Sequence, residues 1–154
     1  MERRLTEERI TKAILKWLEK NSWEIICFDF PQSGTGVILH SGCRIGDSKN
    51  KDSIIPDIVA IKNEVVIFFE NKDRFYLDDF KKIETLRTSK EYEDSIKKLL
   101  KNYKYDIILY GIGIPNIDKV ITKSLAYKEM TDFIVCVKVN DIEIIYTNRQ
   151  NLFF

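Results

Sequence analysis

The stretch IIPDIVAIKNEVVIFFENKDRF, residues 54–75, places charged side chains within and directly after the most apolar part of the chain. Two apolar runs, 54–61 and 65–69, have the length and the β-branched and aromatic composition of strands, so a hairpin is expected. Asp57 interrupts the first run, and Glu-Asn-Lys at 70–72 follows the second. Buried charges are energetically unfavourable unless they are paired or bind a cation. Charged residues at these positions of the hairpin therefore indicate a functional site.

The turn of the hairpin decides whether these charges meet. If residues 63–64 form a two-residue turn, the alternation of side chains along a strand puts Asp57 opposite Glu70, on the same face of the sheet. A three-residue loop would instead put Asp57 against Phe69, away from that face. Asn63 at the first turn position favours the two-residue turn, although the usual glycine is missing at the second.

Two carboxylates facing each other repel unless a cation lies between them or one is protonated. Asp57 and Glu70 would therefore suit a hard divalent cation such as Mg²⁺, with the carbonyl of Asn71 as a third protein ligand. Lys72 would then contact an attacking water or the phosphate that it attacks, where negative charge develops. The pattern predicts a metal site that acts on a phosphodiester.

A plainer interpretation of the same residues stays open. Pro56-Asp57 also fits the start of an ordinary strand, and residues 70–72 fit the solvated exit of the next one. An Asp followed by Glu-x-Lys at this spacing also arises by chance. The apolar hairpin around the pattern, the amphipathic helix before it and the helix after it favour the metal site.

In this setting the chain resembles a known family. Pro56-Asp57, followed by Glu-Asn-Lys at 70–72 on the next strand, behind an N-terminal helix, is similar to the PD-(D/E)XK nuclease superfamily. The size, the long loop before Pro56 and the Gly-Thr-Gly turn at 34–36 look most like a small type II restriction endonuclease. The resemblance covers roughly residues 5 to 115, and its motif is specific only in this context.

The resemblance implies a fold, an activity and a set of residues. The fold would be a restriction-endonuclease-like α/β domain, a mixed β-sheet flanked by helices. The activity would be Mg²⁺-dependent hydrolysis of double-stranded DNA by a homodimer. Asp57 and Glu70 would hold the metal, Lys72 would be the catalytic lysine, and a first-helix glutamate, Glu8 or Glu7, would be an accessory acid.

Two other functions remain compatible with this resemblance. The first is a structure-specific nuclease, such as a junction resolvase or a repair enzyme, which would cut branched or damaged DNA without a recognition sequence. The second is a nucleic-acid-binding module that keeps the fold without catalysis. The intact Asp57, Glu70 and Lys72 argue against the second, because a decayed site usually has a substitution among such residues.

Contacts to DNA are expected mainly from the polar segment 32–53, which leads into Pro56. Its segment 44–51 has a local net charge of +2, and a second basic segment, 81–104, has a local net charge of +4. Basic side chains there would contact phosphates, although a solvated helix face explains the second segment equally well. The side chains that we expect to contact DNA are Gln32, Ser33, Thr35, His40, Arg44, Lys49, Lys51 and Arg74.

The bulk composition limits the alternatives. The chain has 154 residues and a net charge of +1, which fits a single domain spanning residues 1–154 and gives no global basic signal. The absence of an apolar leader or membrane-length run favours a cytoplasmic protein that does not contact a membrane. The three cysteines, Cys27, Cys43 and Cys136, are expected to be reduced thiols, with Cys27 and Cys136 in strands. His40 is the only histidine, so chemistry based on paired histidines is excluded.

Hydrophobic periodicity completes the expected fold. A helix at 6–20 with Thr6 as its N-cap precedes the strands, and a helical segment at 76–104 is expected to break near 87–89. The order predicted is α-β-β-β-β-α-β-α-β-β, which indicates a mixed sheet flanked by helices. Besides the hairpin, the predicted strands are 23–30, 37–39, 106–114, 133–139 and 142–147, and the last predicted helix is 117–131.

Overall fold

A computed structural model of the chain describes residues 6–29, 43, 45 and 54–149. In this part of the chain, six strands form one sheet in the order β1-β2-β3-β4-β5-β6. Four α-helices and two short 3₁₀-helices, at Lys90–Tyr92 and Lys128–Met130, accompany them. The strands are β1 (Glu24–Phe28), β2 (Ile58–Lys62), β3 (Val65–Asn71), β4 (Ile107–Pro115), β5 (Phe133–Val137) and β6 (Ile142–Thr147). The helices are α1 (Glu7–Lys20), α2 (Leu77–Thr88), α3 (Glu93–Leu99) and α4 (Asp118–Ala126).

The sheet is mixed, as the sequence predicts. Strands β1, β2 and β3 pair antiparallel, β3-β4 and β4-β5 pair parallel, and β5-β6 pair antiparallel. The parallel pairs follow the segments that contain α2, α3 and α4, because a parallel neighbour can be reached only through a long crossover. The central strands β3 and β4 are covered by helices on both faces.

Each face of the sheet has its own apolar cluster. On one face, the α1 side chains Ile10, Ile14 and Leu18 pack against Phe69 of β3 and Phe133 of β5. On the other face, α2, α3 and α4 pack against alternate residues of the same strands. That second cluster includes Phe80, Ile83, Leu86, Ile96 and Val120 from the helices and Val59, Val66, Phe68 and Tyr110 from the strands.

The predicted helices are largely confirmed. Thr6 is the N-cap of α1, where its Oγ1 accepts a hydrogen bond of 3.2 Å from the Arg9 amide. The predicted break is also present, because α2 ends at Thr88 and Ser89 begins the next helical turn. The last helix is shorter than predicted, since a 3₁₀-helix follows α4.

The strand predictions differ from the structure mainly at the start of the hairpin. Ile54 was expected in the first strand of the hairpin, yet β2 begins at Ile58 and Ile54 forms an isolated bridge with Ile45. Pro56 has no amide hydrogen to donate to a neighbouring strand, which limits pairing at this point. The strand predicted at 37–39 lies outside the described residues, as does most of the segment 32–53.

The prediction of three reduced thiols is wrong for two of the cysteines. Cys27 in β1 and Cys43 form a disulfide, with their Cα atoms 5.4 Å apart. That separation is within the range that a disulfide can span. The two cysteines are 16 positions apart in the sequence, so the pairing was not predicted and becomes visible only in the fold. Cys136 is free and buried in β5, as expected. None of the helices in the described ranges has the length and apolar character needed to cross a membrane.

Candidate functional site

The hairpin between β2 and β3 has the two-residue turn that the sequence predicts. Lys62 pairs with Val65, and the register continues without a shift to Ile58 opposite Phe69. Asn63 and Glu64 have φ angles of 50° and 66°, as a type I′ turn requires at both central positions. Glu64 takes this conformation without being glycine.

This register brings the two acids to one face of the sheet. Glu70 alternates with Val66 and Phe68, which face α2, and Asp57 has the parity of Val59 on that same face. Both carboxyl groups are buried, with Asp57 exposed by 7% and Glu70 by 4%. The predicted meeting of two carboxylates is therefore present in the structure, next to α2.

Main-chain hydrogen bonds fix Asp57 between β3 and the residue that follows β1. Its amide donates to the Phe69 carbonyl at 2.9 Å, and its carbonyl accepts from the Asp29 amide at 2.9 Å. One oxygen of its side chain, Oδ2, accepts from the Asn71 amide at 2.6 Å. Burial raises the pKa of Asp57 well above its ordinary value, and the nearby Glu70 carboxylate raises it further.

Glu70 is only half satisfied by its surroundings. Its Oε1 accepts from the Lys82 ammonium of α2 at 3.0 Å. Its Oε2 is buried and has no hydrogen-bond partner among the described residues. Burial raises the pKa of Glu70 to about 7, although the contact with Lys82 works in the opposite direction. An unpartnered carboxylate oxygen in the interior is costly, and a bound cation would remove that cost.

Asn71 lies on the opposite face from the two acids. Its Nδ2 donates to Thr11 Oγ1 of α1 at 3.1 Å, and its Oδ1 is buried without a partner in the described part of the chain. Gly113 of β4 lies beside it, and a Cβ added there would be only 2.3 Å from Asn71 Oδ1. The side chain therefore ties β3 to α1, and only the main-chain carbonyl of Asn71 remains a candidate metal ligand.

Lys72 follows the last residue of β3, and its ammonium lies between two helices. Its Nζ is 3.4 Å from Oε1 and from Oε2 of Glu7, at the start of α1. Its amide donates to the Gly113 carbonyl, which extends the pairing of β3 with β4. Burial alone would lower the pKa of Lys72, but Asp79 and Glu7 outweigh it and the pKa is raised. Lys72 therefore stays positively charged.

Of the two first-helix glutamates considered from the sequence, Glu7 lies beside Lys72. Glu8 instead pairs with Lys12, one turn later on α1, at 3.3 Å. Successive helical residues point about 100° apart, so both cannot face the same site. The structure brings Glu7 into the site and leaves Glu8 outside it.

Two residues of α2 also belong to the site, although the sequence did not lead us to assign them to it. Lys82 contacts Glu70, and Asp79 is buried with its Oδ2 unpartnered among the described residues. Burial raises the pKa of Asp79, although Lys72 and Lys82 lower it in part. The sequence does contain a signal for these two residues. Asp79 and Lys82 are three residues apart on a helix directly after the motif, so both side chains can face the site.

The predicted DNA contacts are described only in part. Arg74 is exposed, donates to Asp73 Oδ1 at 3.2 Å and lies 5.6 Å from the centre of the Tyr76 ring. In the basic segment 81–104, Lys82 and Arg87 are engaged internally, because Arg87 Nε donates to Asp132 at 3.0 Å. The remaining candidates, Gln32, Ser33, Thr35, His40, Arg44, Lys49 and Lys51, lie outside the described residues.

The residues present fit a divalent cation with few protein ligands. No group of three or more His, Cys, Asp or Glu side chains is arranged around a common point in the described ranges. Mg²⁺, however, commonly takes one or two carboxylates and completes its shell with water and substrate oxygens. Asp57 and Glu70 supply that donor set, because both have raised pKa values and one Glu70 oxygen has no partner within the ranges that the structure describes.

Comparison with protein-family models, with curated proteins and with solved structures finds no match to this chain.

Proposed function

We propose that this protein is a Mg²⁺-dependent endonuclease that hydrolyses phosphodiester bonds of double-stranded DNA, as a type II restriction endonuclease does. The observation that supports this most is the pair of buried carboxylates, Asp57 and Glu70, on one face of a hairpin and within the electrostatic influence of the Lys72 ammonium. A pair of this kind without a cation is unfavourable, and a lysine beside it would serve an anionic substrate.

The architecture is compatible with a restriction-endonuclease-like fold. A mixed sheet has α1 on one face and α2 to α4 on the other, and the hairpin β2-β3 lies within it. Both acids and the lysine come from the ends of β2 and β3, so rigid elements hold them. A site built on strands keeps its geometry better than one built on loops.

In the proposed reaction, each residue has a separate task. Asp57, Glu70 and the Asn71 carbonyl would hold Mg²⁺, which lowers the pKa of water and so supplies the nucleophile. Lys72 would neutralise charge that develops on the phosphate, because its ammonium stays protonated. Glu7 would orient Lys72 through its two contacts of 3.4 Å.

The DNA would be held by basic and polar residues near the site. Arg74, exposed two residues after Lys72, is the described residue best placed to contact a neighbouring phosphate. A palindromic target would require a two-fold homodimer in which each subunit cuts one strand. A cleavage pattern on plasmid DNA separates this activity from that of a structure-specific nuclease.

One observation favours a second candidate, a DNA-binding module without catalysis. The Lys82 ammonium contacts Glu70 at 3.0 Å and neutralises it, as a cation would. If that contact were permanent, the site would bind a divalent cation poorly. The module would then bind DNA without Mg²⁺ and would not cut it.

The test is cleavage of unmethylated phage and plasmid DNA with Mg²⁺ or with a chelator. We expect discrete fragments only with Mg²⁺, and we expect Lys72→Ala to lower the rate about 100-fold or more through loss of the positive charge at the phosphate. The matched control is Lys123→Ala, an exposed lysine on α4 outside the two basic segments, which should cut like the wild type.

Other outcomes would change the proposal in defined ways. Nicking or a smear without discrete fragments would favour a structure-specific or nonspecific nuclease. DNA that remains intact across linear, supercoiled and branched substrates, while the protein still binds it without Mg²⁺, would favour the binding module.

A further inference from the structure

Lys82 is the charged neighbour of Glu70 that comes from another element. It lies on α2, and its ammonium donates to Glu70 Oε1 at 3.0 Å. The glutamate side chain is exposed by 5% and the lysine side chain by 33%, so the lysine extends from a partly exposed position to a buried carboxylate. A hydrogen bond between two charged groups is among the stronger ones in proteins, so it competes with anything else that binds Glu70.

Asp79 offers a second acceptor on the same helix. It lies three residues before Lys82, so the two side chains are neighbours on one face of α2. Asp79 is exposed by 7%, and its Oδ2 is buried without a hydrogen-bond partner in the described part of the chain. A lysine has a flexible stem with three donors, so its ammonium can move between two neighbouring carboxylates.

We propose that Lys82 and the divalent cation compete for Glu70, and that Asp79 receives the Lys82 ammonium when the cation binds. This inference rests on the metal site of the proposed function. Lys82 thereby determines how tightly the site holds its metal.

Charge balance supports an exchange of this kind. On this face of the sheet, two carboxyl groups, Glu70 and Asp79, each have a buried oxygen without a hydrogen-bond partner among the described residues. With the ammonium on Glu70, Asp79 keeps its unpartnered oxygen. When a cation takes Glu70 and the ammonium moves to Asp79, both carboxylates have a cationic partner. Neither buried carboxylate is then left without a cationic partner, so the exchange avoids the large free-energy cost of an unpaired buried charge.

The test is divalent-cation binding without DNA, measured by titration calorimetry with Mg²⁺ and with Mn²⁺ at pH 8.5. Lys82→Met removes the ammonium and keeps a stem of similar length. We expect it to bind the cation about tenfold tighter or more, because the competing charged hydrogen bond is lost. Asp79→Asn should bind the cation more weakly than the wild type, because the displaced ammonium loses its second acceptor.

Two controls protect this interpretation. Lys81→Met alters the exposed neighbouring lysine on α2 and should leave binding unchanged. Lys82→Gln provides a second neutral variant if Lys82→Met does not fold, as judged by circular dichroism. It should also bind the cation more tightly than the wild type.

The outcomes separate this inference from the proposed function. If the wild type and both neutral Lys82 variants bind the cation equally, the exchange is wrong while the metal site stands. If Asp79→Asn binds as tightly as the wild type, Asp79 does not receive the ammonium. If no variant binds a divalent cation, the exchange and the metal-dependent function both fail.

Discussion

Among single residues, the conflict between burial and charge is sharpest at Glu70. The side chain is exposed by only 5%, has one ammonium partner and has one oxygen without a partner among the described residues. Burial raises the pKa of the neighbouring Asp57, and the Glu70 carboxylate raises it further. A core selected only for stability would place an apolar residue there, because a well-packed apolar replacement of a buried ion pair is often neutral or stabilising. The retained charge is therefore best explained by function.

The raised pKa of Glu70 makes stability depend on pH. Its pKa is about 7 in the folded protein and 4.5 as the unperturbed value, so between these values the folded state keeps a proton that the unfolded state has lost. Stability should therefore fall as the pH rises through this window, by about 3 kcal/mol at most. Glu70→Gln cannot ionise, so its stability should fall much less between pH 5 and pH 8. Urea unfolding at four pH values measures the difference.

The control for that comparison is Glu19→Gln, an exposed glutamate on α1 that should keep the pH dependence of the wild type. If the free energy of unfolding changed with pH to the same extent in the wild type and in Glu70→Gln, the pKa of Glu70 would have to be close to its ordinary value. The conclusion that burial raises the pKa of Glu70 would then be wrong.

The sequence was sufficient to find the acids but not their partners. Parity along two strands and Asn63 in the turn predicted that Asp57 and Glu70 share a face, because strand alternation and turn length are local properties. The contacts of Glu70 with Lys82 and of Lys72 with Glu7 depend on how α2 and α1 pack on the sheet. Periodicity gives the apolar side of a helix but does not fix its rotation and axial position to within one residue.

At the level of elements, α1 connects the fold to the site. Its apolar side packs against β3, and its first turn carries Glu7, the partner of Lys72. Thr11, one turn later, accepts a hydrogen bond from Asn71 at the end of β3. The start of α1 therefore has to be well ordered for Lys72 to be held.

Thr6→Ala tests this role of α1. It removes the acceptor for the Arg9 amide, so we expect a loss of about 1 kcal/mol in the free energy of unfolding. The loss should appear in chemical denaturation at constant m-value. Lys16→Ala, in the exposed middle of the same helix, is the matched control and should change stability by less. An equal effect of the two substitutions would mean that the Thr6 cap does not stabilise the helix.

The limits of sequence reasoning at this level appear where β2 begins. The apolar run at 54–61 predicted a longer strand, because apolar composition alone does not reveal where pairing stops. Pro56 cannot donate a hydrogen bond, and the side chain of Asp57 is held by the Asn71 amide. Apart from the hydrogen bond from the Asp57 amide to the Phe69 carbonyl, regular pairing with β3 therefore begins at Ile58. The break after α2 was predictable, because Ser89 is a residue of the kind that caps helices.

For the whole molecule, the mixed α/β class was predictable from the alternation of apolar runs and amphipathic segments. The parallel pairing of β3 with β4 also follows from the long helical crossover between them, since a short turn permits only antiparallel neighbours. The disulfide was not predictable, because 16 positions separate Cys27 from Cys43 in the sequence and only the fold brings them together.

The disulfide should contribute measurably to the stability of the protein. It closes a loop between β1 and Cys43, so in the chain-entropy model its reduction should cost about 3 kcal/mol of unfolding free energy. We expect a reductant to lower the melting temperature of the wild type and of Cys136→Ala, which removes the free buried thiol. The double variant Cys27→Ala/Cys43→Ala should melt lower than the wild type and should not respond to the reductant. Three titratable thiols in the unfolded protein without reductant would contradict the pairing, whereas a single thiol, from Cys136, would agree with it.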